Sequence, residues 1–133
     1  SDHVSWGLER KGNPDVFKNS SGGPGLETLL PAFWTGCEVH GIAPSMAVRQ
    51  LCSNPAKHFL LDDRKGSLEV GADADLIWYE PGRQIAIDGS RLAHRNKLTA
   101  YAGRVLSGSV RRTVIAGRTV FDGFDLAEPR GVG

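Results

Sequence analysis

From Gly66 onward the chain repeats short runs rich in Val, Ile, Thr and aromatics: "SLEVG", "ADLIWYEP", "RQIAI", "GSVRRTVIAG" and "RTVFDG". Gly, Pro and Asp separate them, which is how the strands of a meander or small sandwich read. Ala116-Gly117 is expected to form a tight hairpin turn. Before Gly66 the period is different. In "GLETLLPAFWTGCEVHG", Leu26, Leu29, Leu30, Phe33 and Trp34 recur at spacings of three and four, a helical face. Pro31 is expected to end or kink that helix. "APSMAVRQLCSNPAKHFLL" reads as two short helices. Ser45 is the expected N-cap of the first, whose apolar residues are Met46, Val48, Leu51 and Cys52. The second is expected from Pro55 to about Leu61, Pro being well tolerated in a first turn. A domain seldom places all its helices before all its strands. Two pieces are therefore expected: the end of an α/β unit over residues 1–65, then a β module over 66–124. The stretch "SRLAHRNKLTAYAGRVL" between strands reads as an extended linker with one helical turn at most. Residues 125–133, "DLAEPRGVG", are expected to fray or dock loosely.

Residues 3 to 25 are loop by composition, as in "KGNPDVFKNSSGGPG". An irregular loop of about 20 residues is uncommon inside a compact domain and is usually functional or disordered. This one follows an Asp-His pair directly, which favours function. The 133 residues have the length of one domain with a modest core. A net charge of +1 gives no electrostatic case for nucleic acid or an anionic membrane as partner. No apolar run reaches the 18 residues of a transmembrane helix, and the first residues are too polar for a signal peptide. Cys37 and Cys52 show neither a CxxC nor a His at ligand spacing. They read as small buried hydrophobes in a reducing compartment, so a soluble cytoplasmic protein is expected.

Several polar residues carry a bland reading. Asp2 taken alone is a surface or capping carboxylate. His40 is a cation near a helix C-terminus, His58 a packed or surface residue on the "NPAKHF" helix, and His94 a linker residue with no role. Asp73 and Asp75, in "ADAD", would share one face of a strand. Arg111 and Arg112 read as a solvated strand edge that discourages sheet-to-sheet pairing.

Four stretches together resemble the C-terminal part of the cyclic amidohydrolases, namely hydantoinase, dihydropyrimidinase, dihydroorotase and allantoinase. They are Ser1-Asp2-His3, "GGPGLETLLP" (22 to 31), "SNPAKHFLLDDRKGSLEVGADADLIWYEP" (53 to 81) and "YAGRVLSGSVRRTVIAGRTVFDG" (101 to 123). The third is the most specific. The resemblance implies a (β/α)8 TIM barrel with a small β-sandwich. Ser1-Asp2 would end the eighth barrel strand, His3 to Gly25 would form its loop, and residues 26 to about 61 the last helices. Residues 66 to about 124 would be the C-terminal part of the sandwich. Ser1 would then lie inside a larger enzyme. A polar residue at the C-terminal end of a barrel strand reads as catalytic.

The resemblance also implies a site. The residue matching Asp2 binds a divalent metal, zinc in type, present as one or two ions. It takes the proton of metal-activated water and delivers it to the leaving nitrogen of a cyclic amide or imide. A His-x-His pair, a carboxylated Lys and two further His supply the other ligands from earlier in the barrel. Here His3, His40, His58 and His94 form no His-x-His, so no complete metal site is expected within this chain. His3 is expected to point into the packing. In dihydroorotases a His that binds the substrate carboxylate stands where this chain has Trp6. Trp6 would line an apolar pocket for a ring substituent, or else anchor the loop. Ser21, Gly22 and Gly23 match a stretch that presents backbone groups to the imide. Family members often carry Asn at the place of Ser21, and a merely flexible loop is the alternative. For Asp73 and Asp75 the family implies a turn into a strand with structural hydrogen bonds.

Hydantoin and dihydropyrimidine rings come first as substrates, allantoin next, dihydroorotate third. The implied partners are the remainder of the barrel and further copies of the protein, commonly in a tetramer. Two readings compete with an enzyme. One is a non-catalytic assembly protein of the same fold. The other is a free-standing binding module, which fits poorly because Phe33 and Trp34 would lie on an apolar helix face with no barrel to cover it.

Overall fold

In the computed structural model, which describes residues 1–123, Ala116 and Gly117 both adopt left-handed backbone, with φ of 48° and 76°. A two-residue loop of that kind matches the twist of the strands it joins. Here it joins β2 (Val105–Ile115) to β3 (Arg118–Phe121) in the hairpin that the sequence predicts. β1 (Leu76–Ala86) pairs antiparallel with the other side of β2, giving a sheet of order β1-β2-β3. The segments "ADLIWYEP" and "RQIAI" are thus one strand, interrupted where Glu80 pairs Ser109 and Gln84 pairs Ser107. Pro81 falls in that interruption on an edge strand, where its missing N–H deprives no neighbour. "SLEVG" forms no strand: Leu68 and Val70 are bare, 87% and 110% exposed. A β pattern needs an adjacent strand, and none lies beside this one among the described residues. Arg111 and Arg112 lie on the central strand rather than at an edge, and the Arg111 guanidinium faces the Glu80 carboxylate at 3.7 Å.

Helix α1 (Leu29–Val39) starts later than its pattern suggests, so Pro31 sits buried in the first turn, where a missing N–H is harmless. His40 caps its end as expected. Next come α2 (Pro44–Val48), a π turn (Arg49–Ser53) and α3 (Asn54–His58), one helical run rather than two separate helices. Its N-cap is Ala43 with Pro44 at the first position, not Ser45. Pro55 explains the π turn. Its ring would strike a carbonyl one turn earlier, and the wider turn lets Asn54 N–H reach back to Arg49 O. α3 stops at His58, short of Leu61. Cys37 is buried, as its composition suggests, whereas Cys52 is exposed on the π turn.

α1 packs on β2: Ser107 N–H donates to Thr35 Oγ1 at 2.8 Å, and the Trp34 ring meets Tyr79 edge-on at 5.1 Å. Trp34 is therefore partly covered by the sheet of this chain itself. Besides Pro31 the buried apolar residues are few, and half of them are small: Cys37, Ala47, Ala56, Ile87, Leu92 and Leu106. Phe59, Leu60 and Leu26 stay largely exposed. The linker carries one 3-10 turn, Gly89–Arg91. Residues 125–133 lie outside the described residues. None of the described helices is long and apolar enough to cross a membrane.

Asp73 and Asp75 lie just before β1 rather than on a strand face and serve the fold, in the structural role the family resemblance implies. Lys65 bridges both carboxylates, Arg64 joins Asp73 at 3.0 Å, and Asp75 Oδ1 accepts from Ala116 N–H at 2.8 Å. The clasp fastens the 64–75 turn to the hairpin. Lys65, as hydrogen-bond donor, holds both carboxyls below the usual range, and they in turn raise the Lys65 ammonium. The clasp is therefore complete above the ordinary carboxylate range and is lost as pH falls through the lowered values. At the alkaline end it is lost as pH rises through the raised lysine value. Exposed ion pairs contribute little to global stability. Lys65→Met is accordingly expected to speed amide exchange at Ala116 and Gly117 while leaving α1 protected. Unchanged exchange at the hairpin would contradict this account of the clasp.

Candidate functional site

The local geometry of residues 2 to 26 is organised by short polar contacts rather than by regular structure. Asp2 has φ of 46°, left-handed backbone that Asp tolerates better than most residues. Its side chain is exposed. His3 forms an isolated parallel bridge with Gly23, and Val4 N–H donates to Gly23 O at 3.0 Å. The His3 ring turns inward, where Nδ1 accepts from the N–H groups of Gly25 (3.2 Å) and Leu26 (3.1 Å). With Nδ1 an acceptor, the ring proton belongs on Nε2. Packing is thus the role of His3, as the sequence reading has it. These bonds stitch residues 3–4 to residues 23–26 directly beside Asp2.

The middle of the loop folds back on the same frame. Trp6 Nε1 donates to Ser21 O at 2.8 Å, and the Arg10 guanidinium stacks 4.7 Å over the indole. Lys11 Nζ donates to both Ser20 O and Gly22 O. Ser20 N–H returns to Arg10 O at 3.0 Å. Gly22 has φ of 73°, and a Cβ there would lie 2.8 Å from Val4 Cγ2 and 3.3 Å from Asp2 O. Only glycine fits so close to the backbone of Asp2. The structure therefore brings Asp2, Trp6, Ser21, Gly22 and Gly23 into one cluster.

A second segment props this cluster from outside. Ser5 accepts from Asn96 at Oγ (3.0 Å) and at its carbonyl, and His94 packs edge-on against His3 at 5.6 Å. Glu27 Oε2 accepts from Ala93 N–H at 2.7 Å. His94, to which the sequence assigns no role, is thus part of the support. Lys11, Asn96 and Glu27 also escape a reading by motif. Lys11 reaches carbonyls 9 and 11 residues further along, which no local pattern announces.

Asp2 supplies a single hard oxygen donor. Among the described residues, no three His, Cys, Asp or Glu side chains converge to hold a metal ion. A zinc site needs three or four protein ligands, so the residues present do not fit a complete centre. His40 caps α1 and lines a cleft that Ser1 and Gly25 also line, and His58 on α3 meets Phe59 edge-on. What the arrangement offers is an exposed carboxylate at a backbone turn, rimmed by a fastened, glycine-containing loop.

Comparison with known proteins identifies the family of the chain as a whole. Residues 26–120 match the model of the amidohydrolase family. The chain is 36% identical over 107 residues to the probable allantoinase 2 of Dictyostelium discoideum, covering 80% of this chain and 21% of that protein. It is 32% identical to the L-hydantoinase of Paenarthrobacter aurescens, covering 100% of this chain and 30% of that one. The solved L-hydantoinase (dihydropyrimidinase) from Arthrobacter aurescens superposes with a TM-score of 0.83 at 30% identity, covering 91% of this chain and 28% of that chain. The chain thus spans less than a third of the length of each. By the family match over most of its length, the chain belongs to the amidohydrolase family.

Proposed function

We propose that this chain is the C-terminal segment of a metal-dependent hydrolase that opens cyclic amides or imides. The observation that carries the reading is Asp2, an exposed carboxylate on a left-handed turn with the loop 20–25 fastened around it. Relatives named for hydantoin and allantoin chemistry support the class of reaction. In this reading Asp2 is the general base and acid. Water oxygen bonds to the ring carbonyl carbon, and Asp2 takes the water proton. Asp2 then passes that proton to the ring nitrogen as the carbon–nitrogen bond breaks and the carbonyl re-forms, leaving an open amide and a carboxylic acid that releases its proton to solvent. Trp6 and the backbone of Ser21, Gly22 and Gly23 form the wall against which the ring is positioned.

A divalent metal, zinc in type, belongs to this proposal. Asp2 would give it one oxygen, and residues outside this chain the rest. When bound, such an ion lowers the pKa of water to about 7. We place the three-stranded sheet in a β-sandwich completed elsewhere in the protein, residues 1–65 at the end of a TIM barrel, and the whole enzyme in a cytoplasmic homo-oligomer, a tetramer in type. Hydantoin and dihydropyrimidine rings come first as substrates. Allantoin stands beside them on the relative with 36% identity.

The test is a ring-opening assay of the natural full-length gene product on hydantoin, dihydrouracil and allantoin. The reading predicts turnover of at least one ring at a rate proportional to enzyme. A folded protein that opens none of them would turn the reading toward a non-catalytic assembly protein of the same fold.

A further inference from the structure

Four consecutive carbonyls, those of Ser20, Ser21, Gly22 and Gly23, are each held by a donor from residues 4 to 11. Lys11 Nζ takes the first and third, Trp6 Nε1 the second at 2.8 Å, and Val4 N–H the fourth at 3.0 Å. Three of these four bonds come from two side chains, and one of those side chains, Lys11, brings a formal positive charge to the strap. A backbone with no regular partner and a glycine at φ of 73° has many conformations open to it. Charge-assisted hydrogen bonds are the strongest single contacts that could select one of them. The strap so fixed lies against the backbone of Asp2: a Cβ on Gly22 would be 3.3 Å from Asp2 O. His3 fastens the far end through Gly25 and Leu26, and at the near end Lys11 adds its ammonium to the single backbone bond from Ser20 N–H to Arg10 O.

We propose that Lys11 is a positioning residue. Its ammonium clamps the Ser20 and Gly22 carbonyls and so sets the distance between the Ser21–Gly23 strap and Asp2 on which ring opening depends. Arg10 stacked on Trp6 keeps the indole aligned with Ser21 O, so the second bond of the clamp is held from outside as well. This inference rests on the catalytic reading of Asp2, but its physical half does not. Lys11 acts through the strap and touches no reacting atom. Removing it should loosen the strap whether or not the protein is an enzyme.

The experiment uses the natural full-length protein as wild type, Lys11→Met and Lys11→Arg. Amide hydrogen exchange is followed over residues 19–25 and over α1. Ring-opening kinetics are measured on whichever of hydantoin, dihydrouracil and allantoin the wild type accepts. Lys11→Met is expected to raise exchange in 19–25 about tenfold or more, with α1 unchanged as the control for folding. It should also lower kcat/KM by about a hundredfold, mainly through kcat, as misplaced reacting groups do. Lys11→Arg keeps the charge and should recover part of both losses. Unchanged exchange in 19–25 overturns the clamp. Raised exchange with unaltered kcat and KM overturns positioning. A wild type that opens no ring, with the exchange response intact, overturns the enzymatic reading while supporting the clamp on its own.

Discussion

Gly108→Ala is expected to cost about 3 kcal/mol of stability, through two independent effects. Gly108 sits on β2 with φ of 90°, opposite the interruption in β1, where the strand bends. Left-handed backbone costs a residue with a Cβ about 1–2 kcal/mol. The new methyl would also meet the Tyr79 hydroxyl at 1.9 Å and its ring carbons at 2.2 and 2.6 Å. Forcing a ring out of a packed position adds about 1–3 kcal/mol. The displaced phenol would lose its bond to Ser107 O, 2.9 Å in the native chain, and its edge contact with Trp34. The expected readouts are a lower thermal midpoint of the natural gene product and faster exchange across β1 and β2. In a Tyr79→Ala background the same substitution should cost only the backbone share. An equal loss in both backgrounds would show that the ring is not what Gly108 accommodates.

The same site carries a pH dependence. Burial, and then the charge of Glu38, push the Tyr79 phenol up to about 12. Because the folded value lies above the ordinary one of about 10, the neutral phenol's stabilisation is complete below that pH. It is lost as pH rises through the folded value. Gly108→Ala should return the phenol toward its ordinary range, visible in an ultraviolet titration of the tyrosines.

Asp2→Asn is expected to lower kcat by about 10²- to 10⁴-fold, the usual worth of a positioned acid–base group. Asn has the same shape, tolerates left-handed backbone equally well, and stands at an exposed position, so folding should be untouched. Circular dichroism and the thermal midpoint serve as controls. Activity close to wild type would remove Asp2 from the mechanism.

Local backbone chemistry made much of this molecule readable from its residues. The Ala116-Gly117 turn, the end of α1 at His40 and the burial of Cys37 follow from turn, cap and packing rules that act over a few residues. The errors arise where a distant partner decides. "SLEVG" has β composition but no neighbouring strand, so it stays irregular. Pro31 looks like a helix breaker until the helix start is known, and Pro55 is accommodated by a π turn that no periodicity announces. Arg111 and Arg112 look like edge charges because pairing order cannot be read from composition. The candidate site divides the same way. Asp2, Trp6 and the Ser21–Gly23 stretch stand out as motif and loop, whereas Lys11, His94, Asn96 and Glu27 matter only through contacts that the folded loop creates.

Metal analysis of the natural full-length gene product, wild type beside Asp2→Ala, tests the central claim most directly. The claim is that Asp2 lends one carboxylate to a hydrolytic metal centre built mostly outside this chain. It predicts one or two bound metal ions per wild-type protomer and a clear deficit in a folded Asp2→Ala protein, together with loss of ring opening. Metal-free wild type, or a variant that keeps both its metal and its activity, would contradict it.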